Sequence, residues 1–386
     1  MRASLFSVVA FLLLTGAANA QASLDGVLDP VRAKYALPAI AAAVVKEGKL
    51  LAVGVVGVRV VDTDIAATIE DRFHLGSDTK AMTATLAGMM VEEGKLRWNS
   101  TIGEVLGQDL PALRPKFAAI TLAQLLSHTS GISPDNDEIG KLYFSADAYE
   151  YSLTQWRLRM IGAWGSKHDP SFPAAGKFQY ANLGYITAGA MIEKVSGKPW
   201  ERLIYERIYA PLGLSTAGIG AQATFGLYDA PVGHRTDDKG KVTPQPWGEP
   251  ADLPASLGPA GLAHMSVKDF AAWAAWNAGE GKRGPALVRP ETLKLLHTPV
   301  VEMQIKDPKP GTPKSGAYAL GWGLSKFDWT EKPILTHNGS NGMNFASVEV
   351  DPDHDLALVV LINIAGPNAD KASLEVMKTL YETYVK

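Results

Sequence analysis

The chain has 386 residues, enough for two packed lobes or for one large domain carrying an insertion. Hydrophobic residues make up 46% and charged residues 20%, as in an ordinary globular protein, and a formal net charge of -3 gives no electrostatic pull toward nucleic acid or an anionic membrane. There is no cysteine, which excludes disulfides, thiol nucleophiles, cysteine-ligated zinc and a lipidated N-terminal cysteine.

Residues 1–20 read as a cleavable export signal. Arg2 supplies a positive start, Leu5 to Leu14 form an apolar run too short to span a bilayer, and Ala18-Asn19-Ala20 is an A-x-A cleavage site. Cleavage is expected after Ala20, with the mature protein in a bacterial periplasm or secreted. No later stretch is apolar for long enough to span a membrane. Two strand-like runs follow at 39–45 and 50–58, joined by the turn Glu47-Gly48. Helical patterns come next at 77–93, 122–127, 147–161, 182–195 and 200–209, separated by loops rich in Pro and Gly. Near the C-terminus, strand-like runs at 345–350 and 356–364 flank the turn Asp351-Pro352-Asp353-His354-Asp355, and 372–384 reads as a closing amphipathic helix. The expected architecture is α/β: an antiparallel sheet flanked by helices, built from 21–85 and 250–386, with a mostly helical lobe at 86–249 inserted between.

Three short motifs could carry chemistry. In Ser77-Asp78-Thr79-Lys80 a helix places the hydroxyl and the amine on one face, one turn apart. A serine hydroxyl becomes nucleophilic when a neighbouring base takes its proton, and a lysine can be that base if burial lowers its pKa. The pattern alone is weak, since a chain of this size yields about one such match by chance; Ser77 as a helix cap and Lys80 in solvent would explain it equally well. Tyr180-Ala181-Asn182 enters a helix. A phenol flanked by cations ionises more readily and can act as a base, and an asparagine amide can grip a substrate amide, although Asn182 also suits a helix N-cap. His337-Asn338-Gly339-Ser340 falls on an expected inner strand, where His337 could line the pocket opposite Ser77 or make a structural hydrogen bond at the strand end. There Gly339 would admit a close approach, and the Ser340 N–H could join the Ser77 N–H as an oxyanion hole.

S-x-x-K on a helix, then Y-x-N about a hundred residues on, then H-x-G on a late strand resembles the ordered signature of the serine β-lactamase and penicillin-binding-protein superfamily. Leu125 to Ile132 resembles the "LLxHTSG" segment of its class C-like branch, and Tyr318 to Leu324 the "YGLGW" segment before the third motif. Nearly all of the mature chain is covered. The resemblance implies the β-lactamase/transpeptidase-like fold. It implies Ser77 as acylated nucleophile, Lys80 as its activator, Tyr180 as proton relay, Asn182 as the contact to the substrate amide, and His337, Gly339 and Ser340 as the third motif and oxyanion donor.

The literal K-[ST]-G of Lys314-Ser315-Gly316 precedes the Tyr318 segment and reads as loop, so His337 is preferred. His337 replaces the lysine that attracts a β-lactam carboxylate, which widens the expected substrates to D-amino-acid peptides and esters as well as β-lactams. His74 reads as structural, His128 and His264 as structural or at the edge of the pocket, and Trp322 as the tryptophan best placed to line the cleft. No G-x-S-x-G elbow and no histidine spacing suited to a metal occurs. The expectation is an exported, monomeric serine hydrolase acting on a small molecule or short peptide without cofactor. The alternatives are a penicillin binder that is acylated with little turnover, and a dedicated carboxylesterase.

Overall fold

The computed structural model describes residues 21–171, 177–248, 251–305 and 312–386; the expected export signal lies outside them. Among the described residues nine strands form the main sheet, in the spatial order Ala22–Ser23, Lys49–Gly57, Ala39–Lys46, Leu356–Ile362, Phe345–Asp351, Ile334–Ser340, Gly323–Lys326, Ser315–Tyr318, Val301–Met303. Every pairing is antiparallel except that of the short first strand, where Ala22 pairs Ala52 in parallel. The two ends of the chain meet where Ile40 pairs Ile362 and Lys46 pairs Leu356.

The central strands are apolar on both sides because both faces are covered. Ala41, Ala43, Val45, Ala357, Val359 and Leu361 point into one core, shared with the helix Val267–Ala278 and the helices from the middle of the chain. Their neighbours Ile40, Ala42, Val44, Leu358, Val360 and Ile362 point into a second core under the helices Asp25–Lys34 and Pro367–Tyr384. A strand buried on both faces loses the polar alternation of a half-exposed strand, which is why these runs read as continuously hydrophobic.

Helix boundaries follow capping chemistry. The expected 77–93 helix starts as a 3-10 turn, Gly76–Asp78, and continues as the α-helix Thr79–Glu92, with Gly94 just beyond it at φ +70°. Residues 147–161 are not one helix. Ala146–Glu150 is a 3-10 turn, and Leu153–Gly165 starts afresh behind a capping box between Ser152 and Gln155. Lys314 is exposed and paired with Asp328, but Ser315 and Gly316 belong to a strand rather than to the expected loop.

Among these helices Arg157 is fully buried. It donates to Glu193 at 2.6 Å, to Glu201, and through Nε to the Ser256 carbonyl at 2.9 Å. A buried guanidinium needs these acceptors, because desolvating an unpaired charge costs several kcal/mol.

Candidate active site

Ser77 sits in the 3-10 turn that leads into the Thr79–Glu92 helix, facing the strand Ile334–Ser340. That strand presses on the turn so closely that two positions admit only glycine. A Cβ on Gly76, whose φ is +51°, would lie 2.3 Å from the Ser340 nitrogen, and a Cβ on Gly339 would lie 1.8 Å from the Leu75 carbonyl oxygen and 2.7 Å from the Ser77 nitrogen. The backbone amides of Ser77 and Ser340 are thereby brought to one edge of the site.

The side chains of the first two motifs converge. Lys80 Nζ is 3.0 Å from Ser77 Oγ, and the Tyr180 hydroxyl donates to Ser77 Oγ at 2.7 Å. Lys80 also donates to Asn182 Oδ1 at 2.7 Å and to the Ala260 carbonyl at 2.6 Å, and its amine lies 4.7 Å from the Tyr180 ring centre. Burial lowers Lys80 to about 7, against the opposing pull of Asp135 and Asp78. Burial moves Tyr180 the other way, well above the ordinary tyrosine range, with only its bond to Ser77 opposing. The phenol therefore keeps its proton, contrary to the expectation that neighbouring cations would make it a base. Between the two, Lys80 is the group able to accept a proton near neutral pH.

Asn182 is placed in the cluster, but its amide is engaged within the protein. Oδ1 accepts from Lys80, and Nδ2 donates to Asp135 Oδ2 at 2.7 Å. It orients Lys80 before it can grip any substrate. His337 also reaches the site, without the cationic character that a lysine there would have. It is 7% exposed, burial drives it down to about 3 with the Lys80 charge acting the same way, and both ring nitrogens are occupied. Nδ1 faces the Asn338 carbonyl at 3.0 Å and Asp78 Oδ1 at 3.2 Å; Nε2 is 3.0 Å from the Tyr318 hydroxyl. A neutral ring that donates from Nδ1 and accepts at Nε2 satisfies all three contacts.

Trp322 is a correction. It is 1% exposed, packs edge-on against His297 at 5.8 Å, and belongs to the core rather than to the cleft. The turn before it decides this. Gly321 lies against the backbone of Lys80 and Ala81 and donates to the Leu126 carbonyl at 3.3 Å. His74 is structural as expected: it accepts from the Gly76 N–H at 3.0 Å and contacts Asp252 at 3.1 Å.

Four further side chains, none of them in the expected site set, shape the site. Asp78 is buried with Oδ2 unpartnered, and burial holds its carboxyl well above the usual range. Asp135 anchors Asn182 and accepts from the Tyr143 hydroxyl at 3.0 Å. Tyr318 fixes His337. His128, read as structural or at the pocket's edge, lies 4.2 Å from the Tyr180 ring at a tilt of 35° and accepts from the Ala181 N–H at 3.2 Å. Asp78 had a local signal in its place inside the first motif, and His128 and Tyr318 lie within the two segments that carry the family resemblance; Asp135 had none.

The sequence matches the Beta-lactamase family over residues 24–378. The chain belongs to the beta-lactamase family. Curated relatives of this family member include penicillin-binding protein 4 of Amycolatopsis lactamdurans, 26% identical over 87% of this chain and 83% of its own. An unguisins hydrolase of Aspergillus campestris is 27% identical over 77% of this chain and 53% of its own length. Among solved structures, an octameric penicillin-binding protein homologue from Pyrococcus abyssi superposes with a TM-score of 0.75 at 23% identity, covering 93% of this chain and 77% of its own. A structure described as SurE superposes with a TM-score of 0.70 at 22% identity, covering 90% of this chain and 73% of its own. Among the described residues no helix is long and apolar enough to cross a membrane, and no cluster of three metal-binding side chains occurs.

Proposed function

We propose that the chain is a serine hydrolase that forms an acyl-enzyme on Ser77, and that the export signal at 1–20 delivers it to the periplasm or the medium. The carrying observation is that one hydroxyl, Ser77 Oγ, is held by both Lys80 and Tyr180. Neutral Lys80 takes the Ser77 proton as Oγ attacks a substrate carbonyl. The oxyanion that forms accepts from the Ser77 and Ser340 backbone N–H groups. Collapse breaks the bond to the leaving group, which takes the Tyr180 proton, and the Lys80 ammonium returns a proton to Tyr180. Water then attacks the acyl carbon, the same groups carry its proton, and Ser77 is released.

The substrate class follows from His337. A neutral, doubly engaged imidazole offers no charge to a substrate carboxylate, so small esters and amides without a carboxylate at that place fit better than β-lactams. The amide of Asn182, expected to grip a substrate amide, is already spent on Lys80 and Asp135, so it gives amides no advantage over esters.

The test is turnover of p-nitrophenyl acetate, a D-alanyl-D-alanine peptide and benzylpenicillin by wild type, Ser77→Ala and Tyr180→Phe. The expected result is fastest turnover of the ester, abolished in Ser77→Ala and reduced by about two to four orders of magnitude in Tyr180→Phe. Undiminished turnover in Ser77→Ala would refute the assignment. N-terminal sequencing of exported protein should begin at Gln21.

A further inference from the structure

One cavity of about 310 Å³ touches Tyr180 and His337 and also Ser347, Glu349 and Ser373. These residues stand on opposite faces of the main sheet. His337 shares the strand face of Leu335, which packs in the core beside the Thr79–Glu92 helix. Ser347 and Glu349 share the face of Phe345, which packs under the C-terminal helix Pro367–Tyr384. The two sides communicate because the sheet is incomplete there. Gly323–Lys326 pairs only with Ile334 to Thr336, which leaves His337 to Ser340 without a neighbour on that side among the described residues. Gly323, beside Thr336, has no side chain to close the opening.

The far end has an unusual chemistry. Glu349 is 3% exposed, and its Oε2 has no hydrogen-bond partner among the described residues. Asp370, on the first turn of the C-terminal helix, is a second carboxyl on the wall. The remaining wall includes Phe327, Phe345 and Leu374, and among the described residues no lysine or arginine lines it. A buried carboxyl without a partner is costly in the empty protein, and a ligand that donates to it removes the cost.

We propose that this cavity is a substrate subsite that runs from the catalytic phenol through the gap in the sheet, and that Glu349 at its far end binds the ammonium head of an otherwise apolar group. The inference rests on the reading of Ser77 and Tyr180 as catalytic, and it narrows the substrates to esters or amides carrying a primary amine at the end of an apolar chain.

The test uses n-hexylamine and 1-hexanol as probes, with binding measured by calorimetry and by competition against p-nitrophenyl acetate. Wild type should bind hexylamine at least tenfold more tightly than hexanol, competitively with the ester. Glu349→Gln, which keeps the shape, should reduce that preference to within about twofold, and Ser373→Leu, which fills the far end, should weaken both probes. Thermal unfolding of each variant shows that it is folded. Equal binding of the two probes to wild type, or an amine preference that survives Glu349→Gln, overturns the subsite. Calorimetry needs no turnover, so a chain that binds hexylamine but never hydrolyses the ester would sink the catalytic reading and leave the subsite standing.

Discussion

Asp135→Asn removes a negative charge that reaches the proposed base through a single side chain. Lys80 Nζ donates to Asn182 Oδ1 at 2.7 Å, and Asn182 Nδ2 donates to Asp135 Oδ2 at 2.7 Å. The amine and the carboxylate are therefore at most about 8 Å apart. Across that distance the attraction is about 0.5 kcal/mol in water and about 2 kcal/mol at an effective dielectric of ~20, equivalent to roughly 0.4 to 1.5 pH units on Lys80. Asp135 is exposed, so solvent screening favours the lower half of that range. The direction is fixed: Asp135 holds Lys80 up, and losing it lowers the pH at which the amine becomes neutral. In wild type, with Lys80 at about 7, about half the amines are neutral at pH 7 and about one in eleven at pH 6. Ester kcat/KM should thus fall about tenfold per unit well below pH 7 and level off above about pH 8. Asparagine can still accept from Asn182, so the variant isolates the charge. The assay is kcat/KM for p-nitrophenyl acetate from about pH 5 to pH 9. An acid limb that moves to lower pH supports the chain from Asp135 to Lys80. A limb that stays in place or moves upward refutes it.

Gly339→Ala should abolish ester hydrolysis, because a Cβ 1.8 Å from the Leu75 oxygen must push the strand off the turn that carries Ser77; circular dichroism would show whether the fold survives. Arg157→Met leaves Glu193 buried without its cation and should cost about 3–5 kcal/mol by urea unfolding. Trp322→Ala should cost about 3–5 kcal/mol with little change in KM for p-nitrophenyl acetate, since its ring packs in the core. Burial raises Glu349 to about 8. The folded state thus holds this proton more tightly than the unfolded chain, and Glu349 costs stability progressively as pH rises from about 4.5 to about 8. Glu349→Gln removes the cost, so its advantage over wild type should grow across that window, to at most roughly 5 kcal/mol; an advantage that shrinks with rising pH would contradict the burial of the acid.

The proposed nucleophile cluster was legible from the order of three short motifs rather than from any one of them: Ser77 and Lys80 one helical turn apart, then Tyr180 at a helix entrance, then His337 on a late strand. The central strands were legible because burial on both faces makes 39–45 and 356–362 continuously apolar. What escaped the sequence depends on distant chain segments meeting. The Ala260 carbonyl that holds Lys80 is a backbone atom 180 residues away. Asp135 sits in a loop whose course has no periodicity to read. Trp322 was misplaced because an aromatic residue beside a motif looks the same in sequence whether it faces the cleft or the core, and the Gly321 turn decides which. Tyr180 was expected to ionise from the charge near it, whereas its burial, invisible in sequence, outweighs that charge.

The most direct test of the central claim is to locate the acyl group itself. Protein quenched in acid during turnover of p-nitrophenyl acetate is digested with trypsin and mapped by tandem mass spectrometry. One acetyl group on Ser77, within the peptide Phe73 to Lys80, and none in Ser77→Ala is the predicted result. Acetyl carried by another residue at the same rate in both proteins would contradict the account.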